Sequence, residues 1–337
     1  MAVSAKSMEN ASRMPYEQAL AIISNIAVSV TIVLYNKQIF QVLKFPGAVT
    51  LSAMHSIFGY VLLTLLSKLG FFQVKAIPFV MLIRQSAIWC TSVAFDLLSL
   101  KYNSVGFFQV AKLSMLPLAT LVNFYLNGDA PSKGVVMCLI WLTLGIGVTT
   151  VTDVQVNFAG SLFSLIAVCT TVVNQVWAGQ IMKDNNLTSV QYTHALTLYS
   201  GAVLAVVGPV VDYIGTGVRM DSYLLDNYDL PLILGIFVTS FLGVGVNISA
   251  YWAIKVTSAV TYQVSGQVKN SLIIIIGFVL FAYPVHMKNV FGILVALTGA
   301  VAYGFAKIQE QKEKVSDKVL PSNAQFIEDE EAPKIRN

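Results

Sequence analysis

Apolar residues run along this chain in long stretches free of charge, unlike the short alternations of strands or the one-sided stripes of soluble helices. Residues 18–36, 45–67, 134–152, 154–182, 185–211, 230–254, 270–287 and 289–306 contain no Asp, Glu, Lys or Arg. About 20 such residues, rising ~1.5 Å each as a helix, cross the hydrocarbon core of a bilayer. Three further apolar stretches hold charge inside: 78–100 carries Arg84 and Asp96, 103–126 carries Lys112 and 257–281 carries Lys269. Admitting them divides 270–287 between the end of one helix and a short loop. The pattern then predicts ten membrane spans, at 17–40, 46–67, 78–100, 103–126, 134–151, 158–182, 190–213, 231–254, 257–281 and 287–306. The expected fold class is an all-α polytopic membrane protein.

Composition agrees. Of 337 residues, 56% are apolar and only 11% are charged, with a mean hydropathy of +0.70. Soluble domains hold about 25% charged residues, so a soluble protein is excluded. Cys90, Cys138 and Cys169 all fall in apolar spans without metal-ligand spacing, and no metal or cofactor is expected. The net charge of +4 comes mostly from residues at span ends, which is no signal for nucleic acid.

Met1–Pro15 is polar and precedes the first span without a signal-peptide pattern. Segment 1–16 is read as a cytosolic leader, 17–307 as the membrane domain, and 308–337 as a charged, disordered cytosolic tail. An even number of spans puts both termini on one side. Cytosolic termini place Lys6, Arg13, Lys68, Lys75, Arg84, Lys133, Lys183, Lys255 and the Lys307–Lys314 cluster inside, against Lys44, Lys101, Arg219 and Lys288 outside. The positive-inside rule favours that orientation. The sequon Asn186-Leu187-Thr188 then faces the cytosol and is expected to be unused.

An internal repeat organises the spans. At a shift of 154 residues, "AFDLLSLKYNSVGFFQV" (94–110) overlies "ISAYWAIKVTSAVTYQV" (248–264), matching Lys101 to Lys255, Ser104 to Ser258, Gln109 to Gln263 and Val110 to Val264. The two repeats, about 17–151 and 158–306, each hold five spans. An odd number makes the second enter the membrane upside down. Inverted five-helix repeats are a construction of secondary transporters, with substrate near the midplane between them.

Lys112 and Lys269 are the chemistry that this frame must explain. A lysine at mid-depth costs roughly 2.5–3.5 kcal/mol on insertion scales. Under the repeat, Lys269 maps to position 115, about one helical turn from Lys112, so the halves offer matching cations. Asp96, near the outer end of span 3, is read as the only carboxylate inside a span, and one Asp cannot neutralise two lysines. The imbalance points to an anion of two or more charges, such as a phosphate. Structural pairing of Lys112 with Asp96 is the competing reading.

Pro117 loosens the helix one turn past Lys112, and Gly266 clears space one turn before Lys269. Lys37, beside Asn36 in "LYNKQIF", fits ligand binding or snorkelling to headgroups. Tyr35, Phe107, Phe108, Tyr199 and Tyr262 are candidates to stack a ring. His55, His194 and His286 follow no ligand spacing and are read as packing or gating residues.

In combination, "YNK" (35–37), "NSVGFFQVAKLSMLP" (103–117), "TVTDVQVN" (150–157), "GPVVDY" (208–213) and "TYQVSGQVKNSL" (261–272) resemble the nucleotide-sugar and triose-phosphate translocators of the drug/metabolite transporter superfamily. The likeness covers 17–307 and is nearest to the plant-type UDP-sugar transporters with a Lys-Thr pair in span 9. It implies a Golgi antiporter, or failing that an ER one, that imports a nucleotide sugar and exports the nucleoside monophosphate, with a UDP-sugar and UMP favoured, and phosphate contacts for Lys112 and Lys269. Asn270 stands where that pair has Thr. "LYSG" (198–201) and "GQVKN" (266–270) differ from the Phe-Tyr-Asn-Asn and Gly-Ala-Leu-Asn-Lys motifs of GDP-mannose carriers, and no Arg follows Lys269 as in triose-phosphate carriers.

The expected substrates are therefore a nucleotide sugar and a nucleoside monophosphate. Lys112 and Lys269 take the phosphates, Asn270, Gln109 and Gln263 hydrogen-bond sugar or base, and Tyr262 and Tyr199 pack on the rings. An exchanger of triose phosphate or phosphoenolpyruvate type on the same fold stays open. So does a membrane enzyme, which would need carboxylates such as Asp226 and Asp229.

Overall fold

The computed structural model describes residues 2–102, 111–112, 114–128, 130–152, 158–226, 229–259, 261–266, 268–269, 272, 291–292, 294–295, 297–307 and 309–310. Gln109 and Asn270 lie outside these, as does the side chain of Lys37. The chain forms α1 (Ala2–Gln41), α2 (Ala48–Lys68), α3 (Phe79–Tyr102), α4 (Met115–Asn127), α5 (Lys133–Thr152), α6 (Phe158–Asp184), α7 (Ser189–Thr216), the short α8 (Met220–Asp226) and α9 (Leu230–Val256). Residues 261–266 and 297–307 are also helical, and no strand occurs among the described residues. Five stretches are long and apolar enough to cross a bilayer: Tyr16–Phe40 of α1, and α2, α6, α7 and α9. The protein is a multi-pass membrane protein.

Local chemistry sets the ends. Thr188 accepts from the Gln191 N–H while the Gln191 side chain accepts from the Thr188 N–H, a capping box that opens α7. Gly128 and Gly217 end α4 and α7 at φ 70° and 74°, a backbone region that glycine enters without a Cβ penalty. α4 starts at Met115 and not upstream of Lys112, so Pro117 sits in its first turn, where a missing N–H forfeits no helical bond. The break expected after Lys112 is thus a restart at Ser114. α1 begins at Ala2, so the helix of the first span extends through the N-terminal segment.

The packing is mutual. α2 lies along α7, α3 along α6 and α1 along α9, with smaller contacts of α3 with α7 and α2 with α9. Polar residues tie these interfaces. The Asn25 amide of α1 donates to Ser249 Oγ of α9 at 3.0 Å, and the Gln85 amide of α3 donates to Asn174 Oδ1 of α6 at 2.7 Å. Such bonds hold helices where lipid supplies no hydrophobic drive between them. Met115, Leu116, Leu142, Val172 and Tyr303 bury a core joining α4, α5, α6 and the 297–307 helix. Outward stripes such as Ile57, Val61 and Leu65 of α2 stay exposed, as lipid contact requires.

Candidate substrate site

Asp96, on the last third of α3, meets Lys112 ahead of α4, with Nζ 3.4 Å from Oδ2. This is the pairing that stood as the competing reading of Lys112. The two side chains are 27% and 25% exposed, neither sealed away nor fully solvated. Lys269 has a different neighbour. Its ammonium lies 5.9 Å from the centroid of the Tyr262 ring, within cation–π reach. No carboxylate among the described residues pairs with it. Tyr262 is also within electrostatic reach of Lys112. Tyr262 thus contacts Lys269 and lies within the field of Lys112, cations contributed by different halves of the chain.

Around Tyr262 the groups are neutral and polar. Gln263 is buried, and its amide donates to Gln175 Oε1 on α6. The neighbouring Asn174 takes the Gln85 amide on both its backbone and side-chain oxygens, at 2.7 Å each. Tyr251 stacks edge-on against Tyr192, with centroids 4.7 Å apart. Gln85 Oε1 and the Tyr192 hydroxyl are buried without a hydrogen-bond partner.

Tyr251 also lines a cavity of ≈ 10 Å³ with Ser56, Trp89, Thr193, Leu196, Thr197, Ser200 and Asn247. That is room for about one water. This polar heart lies between α2, α3, α7 and α9.

The other expected residues scatter. The Tyr199 ring packs edge-on against Phe79 at 5.6 Å, apart from the cavity-lining face of α7. The Asn36 carbonyl oxygen is buried with no partner. His55 bonds Thr239 at 3.1 Å and His194 bonds Thr64 at 3.0 Å, which are the packing contacts expected of them.

Sequence reading missed Gln85, Asn174, Gln175, Tyr192 and Tyr251. Their signal is an amide or phenol within an apolar span, charge-free for all but Gln85, which follows Arg84. It also missed a second inward carboxylate. Asp212, near the end of α7, is buried and accepts from the N–H of Val49 at 3.0 Å and of Thr50 at 2.7 Å. The N-cap of α2 is Gly47, which has no side chain to offer, so the cap comes from α7.

Comparison with known proteins fits this architecture. UDP-xylose transporter 1 of Arabidopsis thaliana is 35% identical over 286 residues, covering 85% of this chain and 82% of the relative. UDP-rhamnose/UDP-galactose transporter 3 of the same plant is 32% identical over 309 residues, covering 91% and 87%. A solved crystal structure at 16% identity superposes with a TM-score of 0.60 over 87% of this chain and 98% of its own, which shows a shared fold. The Triose-phosphate Transporter family matches residues 18–304. The chain belongs to the Triose-phosphate Transporter family, and is a transporter and not an enzyme.

Proposed function

We propose that this protein exchanges a UDP-sugar for UMP across the Golgi membrane by alternating access, with ten spans in two inverted repeats and both termini in the cytosol. The observation that carries the reading is the approach of Lys112 and Lys269 to one residue, Tyr262. Two cations beside an aromatic ring suit a ligand with phosphate at one end and a ring beside it. The plant relatives, named for UDP-xylose, UDP-rhamnose and UDP-galactose, supply the uridine and the sugar. Gln263 and its neighbours supply neutral hydrogen bonds for hydroxyls; Asn270 and Gln109 are assigned the same role, and Lys37 and Asn36 a place at the rim.

The helix pairing supports the inverted repeat. Exchanging each span with the one five later turns the α3–α6 pair into the α1–α9 pair and the α3–α7 pair into the α2–α9 pair, and leaves α2–α7 as itself. Such invariance is what a two-fold axis in the membrane plane produces.

The test is thermal stability of detergent-purified protein with UMP, GMP, CMP, AMP, UDP-sugars and triose phosphate, for wild type and Lys269→Ala. A ligand at 100 times its dissociation constant adds about 2.7 kcal/mol. Stabilisation by UMP and UDP-sugars, lost in the variant, supports the proposal. Stabilisation by triose phosphate alone selects the exchanger of phosphorylated metabolites. UMP that still stabilises the variant removes Lys269 from the site.

A further inference from the structure

Asp96 raises a question that phosphate binding alone does not answer. A carboxylate beside a phosphate-binding lysine repels the substrate, and a site built only for affinity would omit it. The geometry is also loose. At 3.4 Å the Nζ–Oδ2 distance exceeds the ~2.7–2.9 Å of a tight charge-assisted bond. About a quarter of each side chain is left uncovered by protein, so packing does not lock the pair together.

Charges at the site are Lys112, Lys269 and Asp96, a net +1. A ligand dianion that engages both lysines makes that −1 if Asp96 keeps its place, and neutral charge returns only if Asp96 withdraws or is protonated. Lys269, beside Tyr262, has no such partner among the described residues. The two cations are therefore unequal: one is compensated from within, and one waits for the ligand.

We infer that Asp96 is a tethered anion that occupies Lys112 when substrate is absent and is displaced when the phosphate arrives. The inference rests on the proposed phosphate role of Lys112. Two consequences follow. Substrate binds less tightly than two bare lysines would allow, which speeds release on the far side. The empty carrier also holds one uncompensated cation instead of two, so its return is slowed less. Asp96 thus sets the balance between exchange and net uptake. Tight coupling requires a large penalty on the empty form, and Asp96 lowers that penalty.

The experiment compares wild type, Asp96→Asn, Lys112→Ala and the double variant. UMP and inorganic phosphate are titrated against each, and uptake of labelled UMP is measured into liposomes with and without internal UMP. The expected result is that Asp96→Asn binds UMP on the order of tenfold more tightly, since a like charge a few ångströms away is gone. Phosphate affinity rises in parallel, and the ratio of uptake into empty liposomes to uptake into UMP-loaded liposomes falls. Lys112→Ala weakens binding, since it leaves Asp96 unpaired beside the phosphate, and the double variant recovers part of that loss because the repelling carboxylate is gone.

Unchanged or weakened UMP binding in Asp96→Asn, with weakening in Lys112→Ala, overturns the inference and makes Asp96 a positioning residue while the Lys112 reading stands. Unchanged binding in Lys112→Ala removes Lys112 from the site and the inference with it. Should Asp96→Asn not fold, Asp96→Ser, which leaves room for water beside the ammonium, carries the same expectations.

Discussion

Lys112 and Lys269 stand out in the sequence because a charge within twenty apolar residues has to be explained by something. Buried amides send no such signal. Gln85 and Asn174 look like ordinary polar relief in a span, and only the α3–α6 contact shows them bonded to each other. Asp212 was equally hidden, since an aspartate near a span end is usually solvated; its role needs the start of α2, over 160 residues earlier, brought against it. Removing it leaves the N–H groups of Val49 and Thr50 buried without acceptors, at about 1–3 kcal/mol for such unsatisfied groups. Asp212→Ala is expected to lower the melting temperature by several degrees. Asp212→Asn, which keeps one oxygen acceptor, is expected to lose less, and thermal unfolding in detergent distinguishes the two. Tyr262 is tested by function. Tyr262→Phe keeps the ring beside Lys269 and is expected to retain UMP binding, whereas Tyr262→Ala gives up a contact of about 0.5–2 kcal/mol and weakens binding by up to ~30-fold in a titration.

At the scale of elements, hydropathy foretold the cores of α2, α6, α7 and α9 within a few residues, because a bilayer imposes length and apolarity together. It failed where tertiary geometry decides. Span 4 was drawn through Ser114, but α4 restarts there, with Ser114 Oγ donating to Ala111 O at 2.5 Å. Glycines make the same point. A Cβ built on Gly299 would lie 2.7 Å from the Leu142 backbone nitrogen, so the 297–307 helix and α5 touch backbone to backbone. Gly299→Ala is expected to push them apart and cost about 1–3 kcal/mol, read as a lower melting temperature. Gly266, one turn before Lys269, has nothing within 4 Å of such an atom. Gly266→Ala is therefore expected to fold with wild-type stability while weakening UMP binding, if the proposed site beside Lys269 is where the ligand approaches. Wild-type affinity in that variant would make the space incidental.

For the whole molecule, the contacts that matter run between the halves. The extensive pairs α2–α7, α3–α6, α1–α9, α3–α7 and α2–α9 each join a helix before residue 152 to one after residue 158. Within the first half, α2 and α3 touch little, and so do α4 and α5. The proposed repeat can be read from sequence through matching residues such as Gln109 and Gln263. The interleaving cannot, since a shift of 154 residues says nothing of which faces meet. Interleaving has an energetic consequence. Either half alone exposes the Asn25 or Ser249 side of one polar interface and the Gln85 or Asn174 side of another to lipid, where unpaired polar groups are costly. Cutting the chain within 153–157 and producing the halves separately should therefore give two unstable, degraded fragments. Producing them together should restore a complex that co-purifies through a tag on one half and is stabilised by UMP like the intact chain. Recovery of a stable, soluble-in-detergent first half alone would show that its own helices suffice, and that the pairing between halves is contact without dependence.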